Sequence, residues 1–97
     1  LIENCETSEC NYRGFNPSWE AGGCKFMGNG GLQNSTMIGH KALRNNGDGI
    51  WFDPPNSNNK VINRNSAFNE GPGLDYEISG EEDIWNNIFV GNGKRGV

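Results

Sequence analysis

The sequence predicts an all-β, single-stranded parallel solenoid of about three to four coils, and three observations carry that reading. The stretch Gly47-Asp48-Gly49-Ile50-Trp51-Phe52-Asp53 recurs as Gly71-Pro72-Gly73-Leu74-Asp75-Tyr76-Glu77, with glycine, aliphatic, aromatic and carboxylate positions matched at an offset of 24 residues. Strand-like residues after a Gly-x-Gly turn, repeated at this interval, mark one coil of chain stacked on the last. Gly (15) and Asn (16) make up about a third of the 97 residues and recur in phase with apolar residues. Both accept the left-handed backbone that tight turns require. Finally, no segment keeps a helical period. Short β-branched and aromatic runs bounded by turns occur instead, at Ile50 to Phe52, Lys60 to Ile62, Leu74 to Ile78 and Ile88 to Val90.

From the N-terminus, Ile2-Glu3-Asn4-Cys5 reads as the end of one coil, with Cys5 filling an interior stack. Similar segments are Ile62-Asn63-Arg64-Asn65, Ile84-Trp85-Asn86-Asn87 and, more loosely, Ile38-Gly39-His40-Lys41. This alignment stacks Asn65 under Asn87, where side-chain amides can bond along the solenoid. Residues 11–18, 28–35 and 54–59 read as loops from their Gly, Asn and Pro content. His40, Arg44, Arg64, Trp85 and the run Glu81-Glu82-Asp83 read as surface or turn residues.

The net charge of −4, with Lys and Arg scattered singly, argues against a nucleic-acid or anionic-membrane partner and suits a neutral substrate. Cys5, Cys10 and Cys24 have neither metal-site nor redox spacing, and neither a metal nor any other cofactor is expected. Asn34-Ser35-Thr36 is a sequon. The chain opens on Leu1 and ends at Val97 inside what reads as a further repeat. Residues 1–97 are therefore expected to be a piece of one longer solenoid domain, in a secreted or periplasmic rather than cytoplasmic setting. Association through its uncapped ends is an expected consequence.

Alternation along the strands assigns faces. Ile50, Phe52, Leu74, Tyr76 and Ile78 fall inside; Trp51, Asp53, Asp75 and Glu77 fall outside. Trp19-Glu20-Ala21 reads as the matching strand of the preceding coil, with Glu20 stacked under Asp53. Lys25, past the Gly22-Gly23 pair, then brings a cation to the same edge. Parallel strands lie about 4.8 Å apart, so Asp53 and Glu77 on successive coils approach the roughly 5 to 5.5 Å that retaining glycoside hydrolysis requires of its two carboxyl groups. Two carboxyls so close resist ionising together, which raises one, while Lys25 keeps the other charged. Trp19 and Trp51 supply flat surfaces for the CH faces of a sugar. The plain alternative is that a carboxylate repeated in a solenoid reflects repeat ancestry alone.

These residues also carry a resemblance. Trp19-Glu20-Ala21-Gly22-Gly23 followed by Lys25, then Gly-x-Gly-Ile-Trp-Phe-Asp ending at Asp53, then Gly-x-Gly-Leu-x-Tyr-Glu-Ile-Ser from Gly71 to Ser79, resemble the right-handed parallel β-helix proteins of the pectate-lyase-like superfamily. The order Glu, Lys, Asp, Glu looks most like glycoside hydrolase family 120, the β-xylosidases. The resemblance implies Asp53 as nucleophile, Glu77 as general acid/base, and Glu20 and Lys25 as residues that bind the sugar or tune the pair. It implies a retaining enzyme acting on plant-derived oligosaccharides.

Two other readings stand beside it. One is a Ca²⁺-dependent polysaccharide lyase with Lys25 as base, which the acidic face disfavours. The other is a non-catalytic, carbohydrate-binding solenoid.

Overall fold

The computed structural model describes residues 1–19, 21–27, 31–53 and 55–97. Among these residues the chain forms eleven strands and no helix, and every strand pairing is parallel. The first coil holds β1 (Ile2–Glu3), β2 (Glu6–Ser8) and β3 (Gly22–Phe26); the second holds β4 (Thr36–Ile38), β5 (Lys41–Leu43) and β6 (Asp48–Phe52). The third holds β7 (Ser57–Ile62), β8 (Asn65–Ala67) and β9 (Leu74–Tyr76), and the fourth holds β10 (Gly80–Trp85) and β11 (Ile88–Val90). Like strands stack into three sheets, β1-β4-β7-β10, β2-β5-β8-β11 and β3-β6-β9. Beyond β11 the third sheet continues, because the N–H groups of Gly73 and Leu74 donate to the carbonyls of Arg95 and Gly96.

The abundant Asn and Gly serve the corners. Between the first and second sheets each coil turns on one left-handed residue, successively Asn4 (φ 50°), Gly39 (67°), Asn63 (51°) and Asn86 (54°). Residues with a short polar side chain or none enter that conformation at least cost. After the second sheet the equivalent positions are Glu9, Arg44, Phe68 and Gly91, also left-handed.

Between the sheets the interior is a set of columns. Phe26, Phe52 and Tyr76 stack with ring centroids 5.0 Å apart at each step. Cys24, Ile50 and Leu74 form a second column, and Ile2, Met37, Val61 and Ile84 a third. Polar residues form columns too. Asn45 Nδ2 donates to Asn69 Oδ1 at 2.8 Å, and Asn69 Nδ2 donates to Asn92 Oδ1 at 2.9 Å. The same oxygens accept from the backbone N–H of Asn45 and Asn69, and the Asn69 amide also reaches the Ala42 carbonyl. Asn45 and Asn69 are buried, and this ladder satisfies the backbone where the coil leaves the second sheet.

Several expectations from the sequence are corrected by this register. The first-coil strand of the third sheet is Gly22–Phe26, not Trp19–Ala21, because Gly22 pairs with Asp48, Lys25 with Trp51 and Phe26 with Phe52. Gly22 and Gly23 lie within this strand. A Cβ on them would lie 2.6 Å from Asp48 O and 2.2 Å from Gly49 O, so close approach of the next coil requires glycine. Met27, not Glu20, follows Phe26 as Asp53 follows Phe52; Glu20 itself lies outside the described residues. Ser57 already begins β7, which shortens the expected 54–59 loop, and Glu81 to Asp83 lie within β10. Ile78 is 80% exposed at φ 43°, where the chain turns out of β9 instead of continuing the inner face.

A one-residue slip explains another group. Ile84 pairs with Val61, and Trp85 with Ile62, so Asn87 stands over Arg64 and accepts its backbone N–H at 3.1 Å, while Asn65 pairs with Ile88. Cys5, expected inside, is exposed. Its column continues through His40 and Arg64, both buried. The Arg64 Nη2 donates to the Gly73 carbonyl at 2.8 Å, and the guanidinium lies 5.3 Å from the Phe89 ring centroid. Burial lowers the Arg64 pKa to about 10, leaving it charged at neutral pH, and burial followed by Arg64 lowers that of His40.

The ladder makes a clear demand on stability. Asn69→Ala should destabilise the chain by about 2–4 kcal/mol in denaturant titration, since it strands several buried partners at once. Ser35→Ala, which removes only an exposed hydrogen bond to the Gln33 carbonyl, should stay within about 0.5 kcal/mol.

Candidate active site

The outer face of the third sheet carries the site. Asp53 follows β6 directly and Glu77 follows β9 directly, and their backbones hold matching positions: Asp53 N–H donates to Phe26 O at 3.0 Å and Glu77 N–H to Phe52 O at 2.9 Å. The two backbones therefore sit one strand spacing apart along the stack, about 4.8 Å. Both line one cleft of about 320 Å³, together with Ser18, Trp19, Lys25, Met27 and Trp51. Five of the six side chains singled out in the sequence, Trp19, Lys25, Trp51, Asp53 and Glu77, are thus gathered at one place; the sixth is Glu20.

Lys25 is the hub of this cleft. From β3 its Nζ reaches Asp53 Oδ2 at 2.8 Å, donates to the Trp19 carbonyl at 2.9 Å and lies 3.4 Å from the Trp51 ring centroid. The ion pair is largely shielded, with side-chain exposures of 17% and 23%, so water screens it less than a surface pair. Cation–π attraction to the indole adds to the clamp.

Trp51 is not the open plate expected from alternation. It is 8% exposed, with Lys25 over its ring, and its Nε1–H donates to Glu77 Oε2 at 3.2 Å. Each carboxylate thus has its own holder, Lys25 for Asp53 and Trp51 for Glu77. Trp19, at 70% exposure, is the aromatic surface left free at the cleft.

A wider hollow of about 560 Å³ adjoins this cleft, sharing Ser18, Trp51 and Glu77 with it and bounded further by Asp48, Asp75, Lys94 and Arg95. Asp48 was missed by sequence reading, although the glycines around it were the signal. A Cβ on Gly71 would fall 2.0 Å from Asp48 Oδ1, so the carboxylate occupies the room that glycine leaves. Burial first, and the adjacent Asp75 second, push the Asp48 carboxyl from 3.8 up to about 6, against the pull of Lys94, Arg95 and Lys25. On the interior side of the same coils, Glu82 accepts hydrogen bonds from Tyr76 Oη and from Asn59 Nδ2. Burial pushes it from 4.5 up to about 7, against the Asn59 hydrogen bonds and with Asp83 adding to the rise.

A family model describing a right-handed β-helix region matches residues 1–97, the whole chain. The chain belongs to the right-handed β-helix family. No protein of curated function and no solved structure matches it. Right-handed β-helices occur in pectate lyases and glycoside hydrolases, so the family is one in which carbohydrate chemistry is frequent. In this β-helix the cleft lies on the third sheet, and both supporting residues, Lys25 and Trp51, project from strands and not from loops.

The two raised carboxyls set the pH response of stability. Each is neutral in the fold at a pH where the unfolded chain ionises it. The stabilisation is therefore complete below about pH 4 and is lost as pH rises through about 6 for Asp48 and about 7 for Glu82. Both groups are partly open to solvent, whose screening cuts the effect to about half of the full linkage, so unfolding free energy should fall by on the order of 2 kcal/mol from pH 5 to pH 8. Asp48→Asn and Glu82→Gln, which fix the neutral form, should each flatten that fall in urea titrations run across the range.

Proposed function

We propose that this β-helix is a retaining glycoside hydrolase of the β-xylosidase kind acting on plant-derived oligosaccharides. Asp53 is its nucleophile and Glu77 its general acid/base. The observation that supports this reading is the matched pair itself: two carboxylates at equivalent positions of adjacent coils, walling one cleft, each with a separate holder. Strand spacing of about 4.8 Å is close to the retaining distance and short of the roughly 6.5–9.5 Å that an inverting enzyme needs for its water.

The chemistry runs in two steps. Asp53 attacks the anomeric carbon as the glycosidic C–O bond breaks, and Glu77 gives its proton to the departing oxygen, leaving a glycosyl ester on Asp53. Water then yields a proton to Glu77 while its oxygen attacks the same carbon, and the C–O bond to Asp53 breaks. Two inversions give retention. Lys25 holds Asp53 in line, and the Trp51 N–H fixes one oxygen of Glu77, leaving the other for the proton. Trp19 supplies the exposed ring against which a sugar face stacks. A lyase would need Lys25 as a free base, whereas its ammonium is engaged by Asp53, the Trp19 carbonyl and the Trp51 ring.

Incubation with an activated 2-deoxy-2-fluoro-β-xyloside should trap a covalent adduct on Asp53, located by peptide mapping. Asp53→Asn and Glu77→Gln should each lower kcat/KM on aryl xylosides by about 10²–10⁴-fold. An adduct on another residue would reassign the nucleophile. No turnover and no adduct, with glycan binding retained in both variants, would leave a carbohydrate-binding solenoid in place of an enzyme.

A further inference from the structure

The hollow beyond Glu77 has no part in the two-step chemistry, yet it is the larger of the two spaces and shares walls with the cleft at Ser18, Trp51 and Glu77. Asp48 lies against it with only 7% of its surface exposed. Among the described residues its carboxylate takes no hydrogen bond, and its oxygens are not sealed from solvent but keep access to the hollow. Water hydrates such a carboxylate through the hollow, and a hydroxyl-bearing ligand that enters can replace that water. Opposite it, Asp75 pairs loosely with Arg95, Oδ1 to Nη2 at 3.7 Å, and Lys94 completes the rim.

We propose that this hollow is a saccharide subsite holding the leaving-group side of the substrate, with Asp48 accepting hydrogen bonds from hydroxyls of the departing sugar unit. The assignment of sides rests on the function proposed above. A general acid must stand between the two units it separates, and Glu77 is the carboxylate that walls both spaces. The charge pattern selects the ligand class. Asp48, Asp75 and Glu77 offer acceptors, while Arg95 and Lys94 offer donors at the rim, an arrangement that matches a neutral ring carrying hydroxyls. A uronate would meet three carboxyl groups against two cations. Burial keeps part of the Asp48 population protonated near pH 6, so hydroxyl acceptance strengthens as pH rises above that value. The groups facing Asp48 in that titration are Asp75, Lys94, Arg95 and Lys25.

The test is calorimetric binding of xylotriose and of xylose to the full chain in an Asp53→Asn background, which does not turn the trisaccharide over, with and without Asp48→Ala, with Asp75→Asn as a further variant and thermal melts to confirm folding. The ratio of trisaccharide to monosaccharide affinity should fall about tenfold on adding Asp48→Ala and by a smaller factor on adding Asp75→Asn. Trisaccharide binding by Asp53→Asn alone should strengthen between pH 5 and pH 7. An unchanged ratio on adding Asp48→Ala to the folded chain, or no binding of xylotriose to Asp53→Asn, would overturn the subsite. Selective loss of trisaccharide affinity, where the wild type neither hydrolyses xylosides nor forms the Asp53 adduct, would keep the subsite and reject the catalytic reading.

Discussion

Each strand of this chain hydrogen-bonds to its own counterpart one coil away, so the roughly 4.8 Å spacing of parallel strands becomes the distance between equivalent side chains. Everything else follows from that register. An aromatic residue repeated once per coil becomes the Phe26-Phe52-Tyr76 stack, and an asparagine repeated once per coil becomes the Asn45-Asn69-Asn92 ladder. A carboxylate repeated once per coil becomes a pair with a defined separation. The same rule penalises a residue that does not fit its column, and Arg64 is the case in point. It sits buried between His40 below and Asn87 above, with Nη2 on the Gly73 carbonyl and the Phe89 ring nearby, while Nε and Nη1 find no partner among the described residues. A charge held this way is weak evidence for stability and is retained at a cost.

The fold was legible because its signals are local and repeat. Gly-x-Gly followed by alternating apolar and polar residues fixes both the turn and the faces of β6 and β9, and Asp53 and Glu77 could be brought to one edge from spacing alone, whereas Lys25 was brought there through Trp19–Ala21, a strand that the register does not form. What was not legible depended on a single residue of register. Val61-Ile62 and Ile84-Trp85 each offer two adjacent apolar residues, and a period of two cannot say which of them faces inward. Choosing Ile62 against Ile84 shifted the Asn column by one and placed Arg64 and His40 outside. The first coil was misread for a related reason. Ala21-Gly22-Gly23-Cys24-Lys25-Phe26 is a third copy of the repeat whose first glycine is alanine and whose aliphatic position is Cys24, so its pairing with Gly47 to Phe52 was hidden by substitutions that volume permits.

Asp48 escaped notice for a different physical reason. Side-chain alternation describes the regular part of a strand, whereas Asp48 stands where β6 enters from the Gly47 turn, at φ 140° for that glycine. Its environment is made by absent side chains, those of Gly71 on the next coil and Gly22 on the previous one. Sequence patterns report the residues that fill space more readily than the space that glycines leave.

On the proposed reading, the division of labour in the site follows from which parts of a solenoid can vary. Asp53, Glu77, Lys25 and Trp51 are fixed by backbone register, since moving any of them means moving a whole strand relative to its neighbours. Ser18 and Trp19 come from the excursion between β2 and β3, where the length and composition of the chain are under no such constraint, whereas Arg95 is held in the register of the third sheet by the Gly73 N–H. The reaction is then set by the stack, and the sugar units are met both by strand residues such as Asp48 and by what the excursion with Ser18 and Trp19 places over the sheet. A change of substrate can therefore come from the excursion over an unchanged sheet, whereas a change of mechanism requires a different residue in the columns themselves.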